Sequence, residues 1–419
     1  MTKMESSFQC INCKSDYETA EMIYECPRCH DLLEIRYDYE RMASEIDTGL
    51  WKSRPFSVWR YLEQLPISNE AKIVTLGEGG TGLHRSENIA DVLGLNKLRI
   101  KFEGENPTGS FKDRGMTVSV SKALEVGARI VACASTGNTS ASLSAYAARA
   151  GLRCVVLIPA GKIGQGKLAQ AIAHGATILE IEGNFDDALR SAIELTKRDK
   201  SIALMNSVNP FRIEGQKTLA FEVCDQLGFK SPDVVVVPVG NAGNISAIWK
   251  GFEELIELRI IEKAPRMIGI QAEGAAPIAS AYKQKSSAIQ FVQKPETVAT
   301  AIRIGAPASW KKALRAVRES KGAMETVSDE EILQAQKDVA RREGLFVEPA
   351  SAASVAGLKK LLEQDLIDKD EEIVCVATGH GLKDTQIVTR FGESPVKTKS
   401  DIESIETALA LRGPARLQQ

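Results

Sequence analysis

Short apolar runs alternate along this chain with longer stretches in which apolar residues return every three or four positions. That is the pattern of strands separated by helices. Strand-like runs fall at 98–102, 129–134, 154–158, 178–181, 202–205, 234–237, 267–270 and 373–377. Helix-like stretches fall at 113–126, 139–150, 168–173, 186–197, 216–227 and from 245 onward. Gly127 ends the first of these helices, and Pro159 closes the strand before it. Val234-Val235-Val236-Val237 has no polar interruption, as expected of a strand buried on both faces. The order predicts an α/β fold with open parallel sheets and helices on both sides. Ligands in such sheets bind where loops leave the carboxyl ends of the strands. The polar stretch 397–419 reads as a docked helix or a mobile tail.

Composition narrows the class. The chain has 419 residues, 43% hydrophobic and 26% charged, enough for two or three domains. A net charge of -2 gives no global field toward nucleic acid or an anionic membrane. No apolar run approaches the length of a membrane span. The first seven residues lack the apolar core of a signal peptide, so a cytoplasmic protein with reduced thiols is expected.

Of eight cysteines, Cys133, Cys154, Cys224 and Cys375 lie in apolar segments and read as inert core residues. The other four form two pairs, Cys10-x-x-Cys13 and Cys26-x-x-Cys29, spaced to converge on one tetrahedral ion. The reading is a structural zinc ribbon, because four thiolates leave no position open for water. A segment of about 45 residues has too small a core to fold alone, so the metal would supply the missing stability. His30, next to Cys29, reads as a bystander.

Candidate chemistry gathers at the strand ends. Glu105-Asn106-Pro107-Thr108-Gly109-Ser110-Phe111-Lys112-Asp113-Arg114 joins a strand-like run to a helix-like run. A tight Pro/Gly turn there can hold Lys112 toward a pocket, where its amine can attack a carbonyl and keep it as an imine. Taken alone, the lysine also fits a solvated helix start. Gly240-Asn241-Ala242-Gly243-Asn244 follows the valine strand and precedes a helix. Its small residues let backbone N–H groups surround a phosphate, although a plain strand-to-helix turn has the same composition. It matches neither the dinucleotide fingerprint nor a P-loop. Ser135-Thr136-Gly137-Asn138-Thr139-Ser140 suits a carboxylate or an ordinary N-cap. Asn206-Ser207-Val208-Asn209-Pro210-Phe211-Arg212 offers an arginine for a second phosphate. Thr378-Gly379-His380-Gly381 offers a neutral hydroxyl. The four histidines, His30, His84, His174 and His380, lie in no hydrolase or metalloprotease motif. For His380 a place near a cofactor and a structural role are equally open.

Taken together and in order, 106–114, 135–139, 206–210, 240–244 and 377–381 resemble the pyridoxal 5'-phosphate (PLP) enzymes of the tryptophan synthase β group, fold type II. The threonine synthases are the most similar among them, and some of these also carry an N-terminal cysteine ribbon. The resemblance implies two open, mostly parallel sheet domains preceded by a small zinc ribbon. The ribbon would span 1–45, and the large PLP domain 46–110 with 216–395. A small domain, 111–215, would be inserted in it, and 396–419 would form a tail. It further implies that Lys112 joins PLP covalently and that Asn138 bonds the cofactor's 3'-oxygen. Gly240, Asn241, Ala242, Gly243 and Asn244 would hold its phosphate, and Thr378 would meet the ring nitrogen. Ser135, Thr136 and Thr139 look like substrate carboxylate or phosphate ligands, and Asn206, Ser207 and Arg212 like the substrate phosphate site.

The implied reaction turns O-phospho-L-homoserine and water into L-threonine and phosphate, and a homodimer follows by analogy with the fold group. Two separate phosphate sites favour this reaction over a dehydratase, which needs one. Another fold type II enzyme, a threonine or serine dehydratase or a cysteate synthase, is the alternative reading. A non-catalytic zinc-ribbon binding protein is a third. Where the group has Thr-Pro-Leu, this chain has Thr81-Gly82-Leu83, and the glycine is expected to loosen that turn.

Overall fold

The computed structural model describes residues 6–19, 22–161, 165–387 and 395–412. Its first sheet is small and antiparallel: β1 (Ser6–Cys10) lies between β2 (Asp16–Glu18) and β3 (Leu33–Tyr37). The remaining strands are β4 (Leu83–Arg85), β5 (Lys97–Phe102), β6 (Ile130–Ala134), β7 (Arg153–Pro159), β8 (Thr177–Ile181) and β9 (Ile202–Leu204), followed by β10 (Val234–Pro238), β11 (Arg266–Ala272), β12 (Ala323–Val327) and β13 (Glu372–Ala377). They form a six-stranded sheet ordered β12-β11-β10-β13-β5-β4 and a four-stranded sheet ordered β8-β7-β6-β9. Every pairing in both is parallel except β4 with β5.

The valine strand shows why parallel sheets read as unbroken apolar runs. Val234 and Val236 enter one core with Ile268, Ile270 and Cys375. Val235 and Val237 enter the core on the other face, with Met267 and Val376. Side chains point alternately to the two faces, and helices cover both, so each position must be apolar. β6 and β7 divide in the same way: Val131, Cys133 and Val156 face one core, and Ala132, Ala134 and Val155 the other. The four interior cysteines are all buried there as free thiols.

Several elements differ from the reading of the pattern. The helix expected at 216–227 is two, Pro210–Gln216 and Thr218–Gln226. Asn209 caps the first through its side chain and Pro210 opens it, so Arg212 stands on a helix and not in a loop. β4, β12 and the ribbon strands were not foreseen: β2 and β4 have three residues each, and β12, Ala323-Met324-Glu325-Thr326-Val327, carries two polar residues. The helices Asp329–Glu343 and Pro349–Glu363 also went unread. The described residues up to Lys383 form one compact unit. Those from Asp384 onward form another, containing the helix Ile402–Arg412. Residues 413–419 of the expected tail lie outside the described residues.

Candidate active site

All five polar segments follow the carboxyl ends of strands: β5 leads to Lys112, β6 to Ser135, β9 to Asn206, β10 to Gly240 and β13 to Thr378. The Lys112 turn is stitched to the Thr378 loop. Phe111 N–H donates to Thr378 O at 3.0 Å, and His380 N–H to Gly109 O at 2.9 Å. Gly109, at φ 82°, supplies the left-handed residue that this reversal needs. The buried carboxylate of Asp113 closes the turn by accepting the Thr108 N–H at 2.7 Å and the Thr108 hydroxyl at 2.6 Å. Burial pushes Asp113 up to about 6, although these donors pull the other way.

Below the turn lies a fully buried set of two cations and two anions. Arg114 pairs with Glu103 through Nη2 at 2.7 Å and with Glu222 through Nη1 at 2.6 Å. Lys101 donates to Glu222 at 2.9 Å, to the Gln226 side chain and to Thr81 O, both at 2.8 Å. Burial alone would raise Glu222, but Arg114 and Lys101 bring it down to about 2. The charges balance, so the network holds the floor of the site without leaving an ion uncompensated.

Lys112 opens the helix Lys112–Glu125 and has a different environment. Among the described residues its Nζ has no carboxylate or hydrogen-bond partner; it lies 4.1 Å from the centre of the Phe111 ring. Burial, then the charge of Arg212, pushes its pKa down to about 7, against a pull from Glu348. Glu348 was missed in the sequence. It is buried, stands immediately before the helix Pro349–Glu363 without a side-chain capping bond, and both its oxygens accept from Asn138 Nδ2 at 3.1 Å. Ser351, also missed, lies 3.0 Å from the Thr378 hydroxyl and accepts the Gly379 N–H at 2.7 Å. Glu348-Pro349 at a helix start was the one available signal. His380 has a structural setting: its ring stacks on Phe102 at 5.8 Å and meets the edge of Phe346.

The 240–244 loop is shaped by close approach. A Cβ on Gly240 would lie 2.9 Å from Ile302 Cα, and Ala242 takes a left-handed φ of 65° to start the helix Gly243–Glu257. Asn241 is taken up on both sides, donating to Ser207 Oγ at 3.0 Å and accepting the Ala308 N–H at 2.6 Å. Asn244 is 7% exposed, and neither its amide oxygen nor its nitrogen has a partner. Ser110 Oγ, two residues before Lys112, is likewise buried and unpaired. Buried orphan groups of this kind call for a partner. An amine, an amide and a hydroxyl around a small-residue loop fit an aldehyde-bearing phosphate ester such as PLP.

Arg212 is 2% exposed and, among the described residues, has no carboxylate partner and leaves Nε unpaired; Nη1 donates to Met205 O at 3.1 Å. Burial lowers its pKa to about 10. A buried guanidinium without a counter-ion is costly and suits an incoming anion. Two glycines bring it to Lys112. A Cβ on Gly215 would lie 1.8 Å from Arg114 O, and one on Gly115 would lie 2.8 Å from Arg212 O. The helices Lys112–Glu125 and Pro210–Gln216 therefore cross backbone to backbone. Asn206 is placed differently from a free ligand: its amide bonds both N–H and C=O of Ala134 at 2.9 Å, tying β9 to β6. Ser135, Thr136 and Thr139 are half-buried at the start of the helix Asn138–Ala150, where Ser135 Oγ accepts the Gly137 N–H at 3.3 Å.

Gly82 corrects the expectation of a loosened turn. Its N–H, which a proline would lack, donates to Glu105 at 2.5 Å, and its carbonyl accepts from Phe102 at 3.0 Å. His84 holds the other oxygen of Glu105 at 2.8 Å.

In the ribbon, the sulfurs of Cys10, Cys13, Cys26 and Cys29 all lie within 4.8 Å of one another. Cys10–Cys29 is 3.4 Å and Cys13–Cys26 3.5 Å. Zinc–sulfur bonds of about 2.3 Å place tetrahedral sulfurs about 3.8 Å apart, so the donor set fits that ion. The two knuckles match: Lys14 and His30, each following its second cysteine, both have φ 58°. His30 is exposed and lies 3.8 Å from Glu25.

Residues 74–379 match the family model described as pyridoxal-phosphate dependent enzyme. The threonine synthase of Methanocaldococcus jannaschii is 55% identical over 401 residues, 96% of this chain and 98% of that protein. The threonine synthase of Methanosarcina acetivorans is 54% identical with the same coverage. Among solved structures, maize serine racemase superposes with a TM-score of 0.63 at 20% identity, covering 74% of this chain and 91% of that one. Threonine deaminase isoform 2 from Solanum lycopersicum gives 0.63 at 22%, covering 80% and 89%. At such identities these two share the fold alone.

Proposed function

We propose how this site works from one premise: the chain belongs to the pyridoxal-phosphate dependent enzymes and, within them, to the threonine synthases. Its reaction is the conversion of O-phospho-L-homoserine and water to L-threonine and phosphate. The single observation that carries the assignment of parts is the pairing of Lys112, an amine without a partner, with Arg212, a buried cation without a counter-ion, at one helix crossing.

PLP, when bound, supplies the sink for negative charge at Cα and Cβ. Lys112 would hold it covalently, and Asn138, its amide oriented by Glu348, would donate to the 3'-oxygen. The backbone of Gly240, Asn241, Ala242 and Gly243 and the amide of Asn244 hold its phosphate. Thr378, positioned by Ser351, would offer the ring nitrogen a neutral hydroxyl in place of a carboxylate.

Ser135, Thr136 and Thr139 bind the substrate carboxylate with their hydroxyls and the helix start. Arg212 and Ser207 hold the substrate phosphate, with Asn241 linking the two phosphate sites through Ser207. Asn206 contributes by fixing the loop. Lys112 Nζ would serve as the base that takes the proton from Cα and then one from Cβ. A pKa near 7 lets the amine both accept and return protons at neutral pH. Arg212 would stabilise the phosphate as it leaves Cγ with the C–O electron pair; Cγ then takes a proton, the hydroxyl of water adds at Cβ with its proton passing to the released phosphate, and Cα is reprotonated.

Incubating the PLP-loaded protein with O-phosphohomoserine tests the reading. Threonine and phosphate in equal amounts are expected. Release of ammonia and a 2-oxo acid in their place would give the site to a dehydratase.

The four cysteines hold a structural zinc ion, supported by their spacing and by the cluster being made of sulfur ligands alone among the described residues. The ribbon domain spans 1–45 and the small domain 111–215, supported by β6–β9 all lying between 130 and 204. A homodimer is proposed from the fold group, and size-exclusion chromatography with light scattering checks it. A cytoplasmic location is supported by four buried cysteines left as free thiols, with the other four assigned to the metal and not to disulfides, and by no described helix being long and apolar enough to cross a membrane.

A further inference from the structure

We infer that the cysteine ribbon is a brace for Arg212, setting the affinity of the enzyme for the phosphate of its substrate. The inference rests on the reading of Arg212 as the residue that holds that phosphate. It assigns a task in the reaction to a domain that contributes no group to the cofactor site.

The ribbon grips the Arg212 segment from both ends. At the near end, β9 is the edge strand of its sheet, so alternate N–H groups point away from β6 and need partners. Tyr24 meets this need: its hydroxyl accepts the Leu204 N–H at 2.8 Å, and its ring packs on the core behind β9. The carbonyl of the same residue, Leu204, accepts from Asn209 Nδ2 at 2.8 Å, and Asn209 Oδ1 accepts the Phe211 N–H at 2.9 Å. An unbroken chain of hydrogen bonds thus runs from the ribbon to the helix that bears Arg212. The next residue, Met205, supplies the carbonyl that receives Arg212 Nη1.

At the far end the ribbon touches the helix itself. Phe8 meets the ring of Phe211 edge-on at 5.5 Å, inside a core made of Cys10, Cys26, Leu33 and Ile35 from the ribbon with Val118 from the Lys112 helix. Tyr37 donates to buried Glu214 at 2.7 Å, and Lys217 and Lys250 pair with the same carboxylate. Lys250 also donates to Ile35 O at 2.6 Å, which ties β3 to the helix Gly243–Glu257 behind the cofactor-phosphate loop.

Arg212 needs such support because, among the described residues, its guanidinium is held by one hydrogen bond, from Nη1 to Met205 O. Among the described residues it has no anionic partner, and its Nε has none of any kind. Burying it without an anion costs free energy that would be relieved if the short helix Pro210–Gln216 shifted toward solvent. The ribbon removes that escape by holding Leu204 on one side and Phe211 and Glu214 on the other. The fixed guanidinium is then ready for phosphate at no cost in reorganisation.

The test uses the PLP-loaded, zinc-loaded full chain and inorganic phosphate as probe, with affinity read by calorimetry. Tyr24→Phe and Phe8→Leu change only ribbon residues, and Arg212→Lys is the reference. Both ribbon variants are expected to weaken phosphate binding roughly 2- to 30-fold. They should raise KM for O-phosphohomoserine by a similar factor and leave kcat, the visible cofactor absorption and the zinc content at their wild-type values. Arg212→Lys should lose phosphate affinity more severely. Wild-type phosphate affinity in both ribbon variants, with Arg212→Lys impaired, overturns the brace while sparing the phosphate site. Unchanged affinity in Arg212→Lys overturns both. A parallel loss of cofactor absorption or zinc would mark a general structural role and also overturn the inference.

Discussion

Lys112 and Arg212 carry the same sign of charge at one site; burial and then the charge of Arg212 lower the tendency of Lys112 to stay protonated, while burial lowers that of Arg212. For Lys112 the outcome is an amine poised near 7. Below that pH the amine is protonated and cannot attack an aldehyde. The rate at which the PLP-free protein takes up the cofactor should therefore rise about tenfold per pH unit up to about 7 and then level off. An unshifted lysine would keep climbing to about 10.4, and stopped-flow absorbance distinguishes the two profiles. Lys112→Ala should lower turnover by at least roughly 10²- to 10⁴-fold and abolish the borohydride-reducible adduct at that position. Wild-type turnover in this variant would remove the amine from the chemistry.

The site is assembled by elements more than by single side chains. The crossing of the helices Lys112–Glu125 and Pro210–Gln216 depends on Gly115 and Gly215, because no side chain fits where the backbones meet. Gly215→Ala forces a methyl against Arg114 O and should cost about 1–3 kcal/mol, visible as a lower thermal midpoint. It should also weaken inorganic phosphate binding, since Arg212 moves with the helix. Below the crossing, Glu222→Gln leaves Arg114 and Lys101 with one carboxylate between them. Removing one partner from a buried ion network costs about 3–5 kcal/mol, measurable by urea denaturation of the variant against the parent. Full stability in Glu222→Gln would mean that the four charges are not what holds the floor of the turn.

Across the whole molecule, the ribbon, the four-stranded sheet and the six-stranded sheet meet around the segment 204–217. Phe8, Tyr24 and Tyr37 come from the first; Leu204 ends the second; Lys250 belongs to a helix on the third. A chelator strong enough to strip zinc should lower the thermal midpoint and release thiols to a colorimetric reagent, while cofactor absorption persists at ambient temperature. Loss of turnover at once, with midpoint, phosphate affinity and absorption intact, would instead make the metal a participant in the chemistry.

Much of this was legible in the chain itself. Unbroken apolar strands followed by amphipathic helices dictated the parallel sheets, because a strand covered on both faces has no polar side to show. The Lys112, Gly240 and Thr378 segments could be found because tight turns and anion cradles demand glycine and small polar residues at fixed spacing. The cysteine spacing was equally local. What the tertiary structure alone decided are the relations between distant segments. Glu348 and Ser351 lie in an ordinary helix start and gain meaning only from Asn138 and Thr378. Gly82 suggested slackness until Glu105 was found on its N–H. The amide of Asn206, expected at the substrate phosphate, bonds Ala134, a partner seventy-two residues away. Local periodicity and turn chemistry are written in neighbouring residues. The packing that decides which buried charge finds a partner, and which is left waiting for a ligand, depends on residues far apart in the chain.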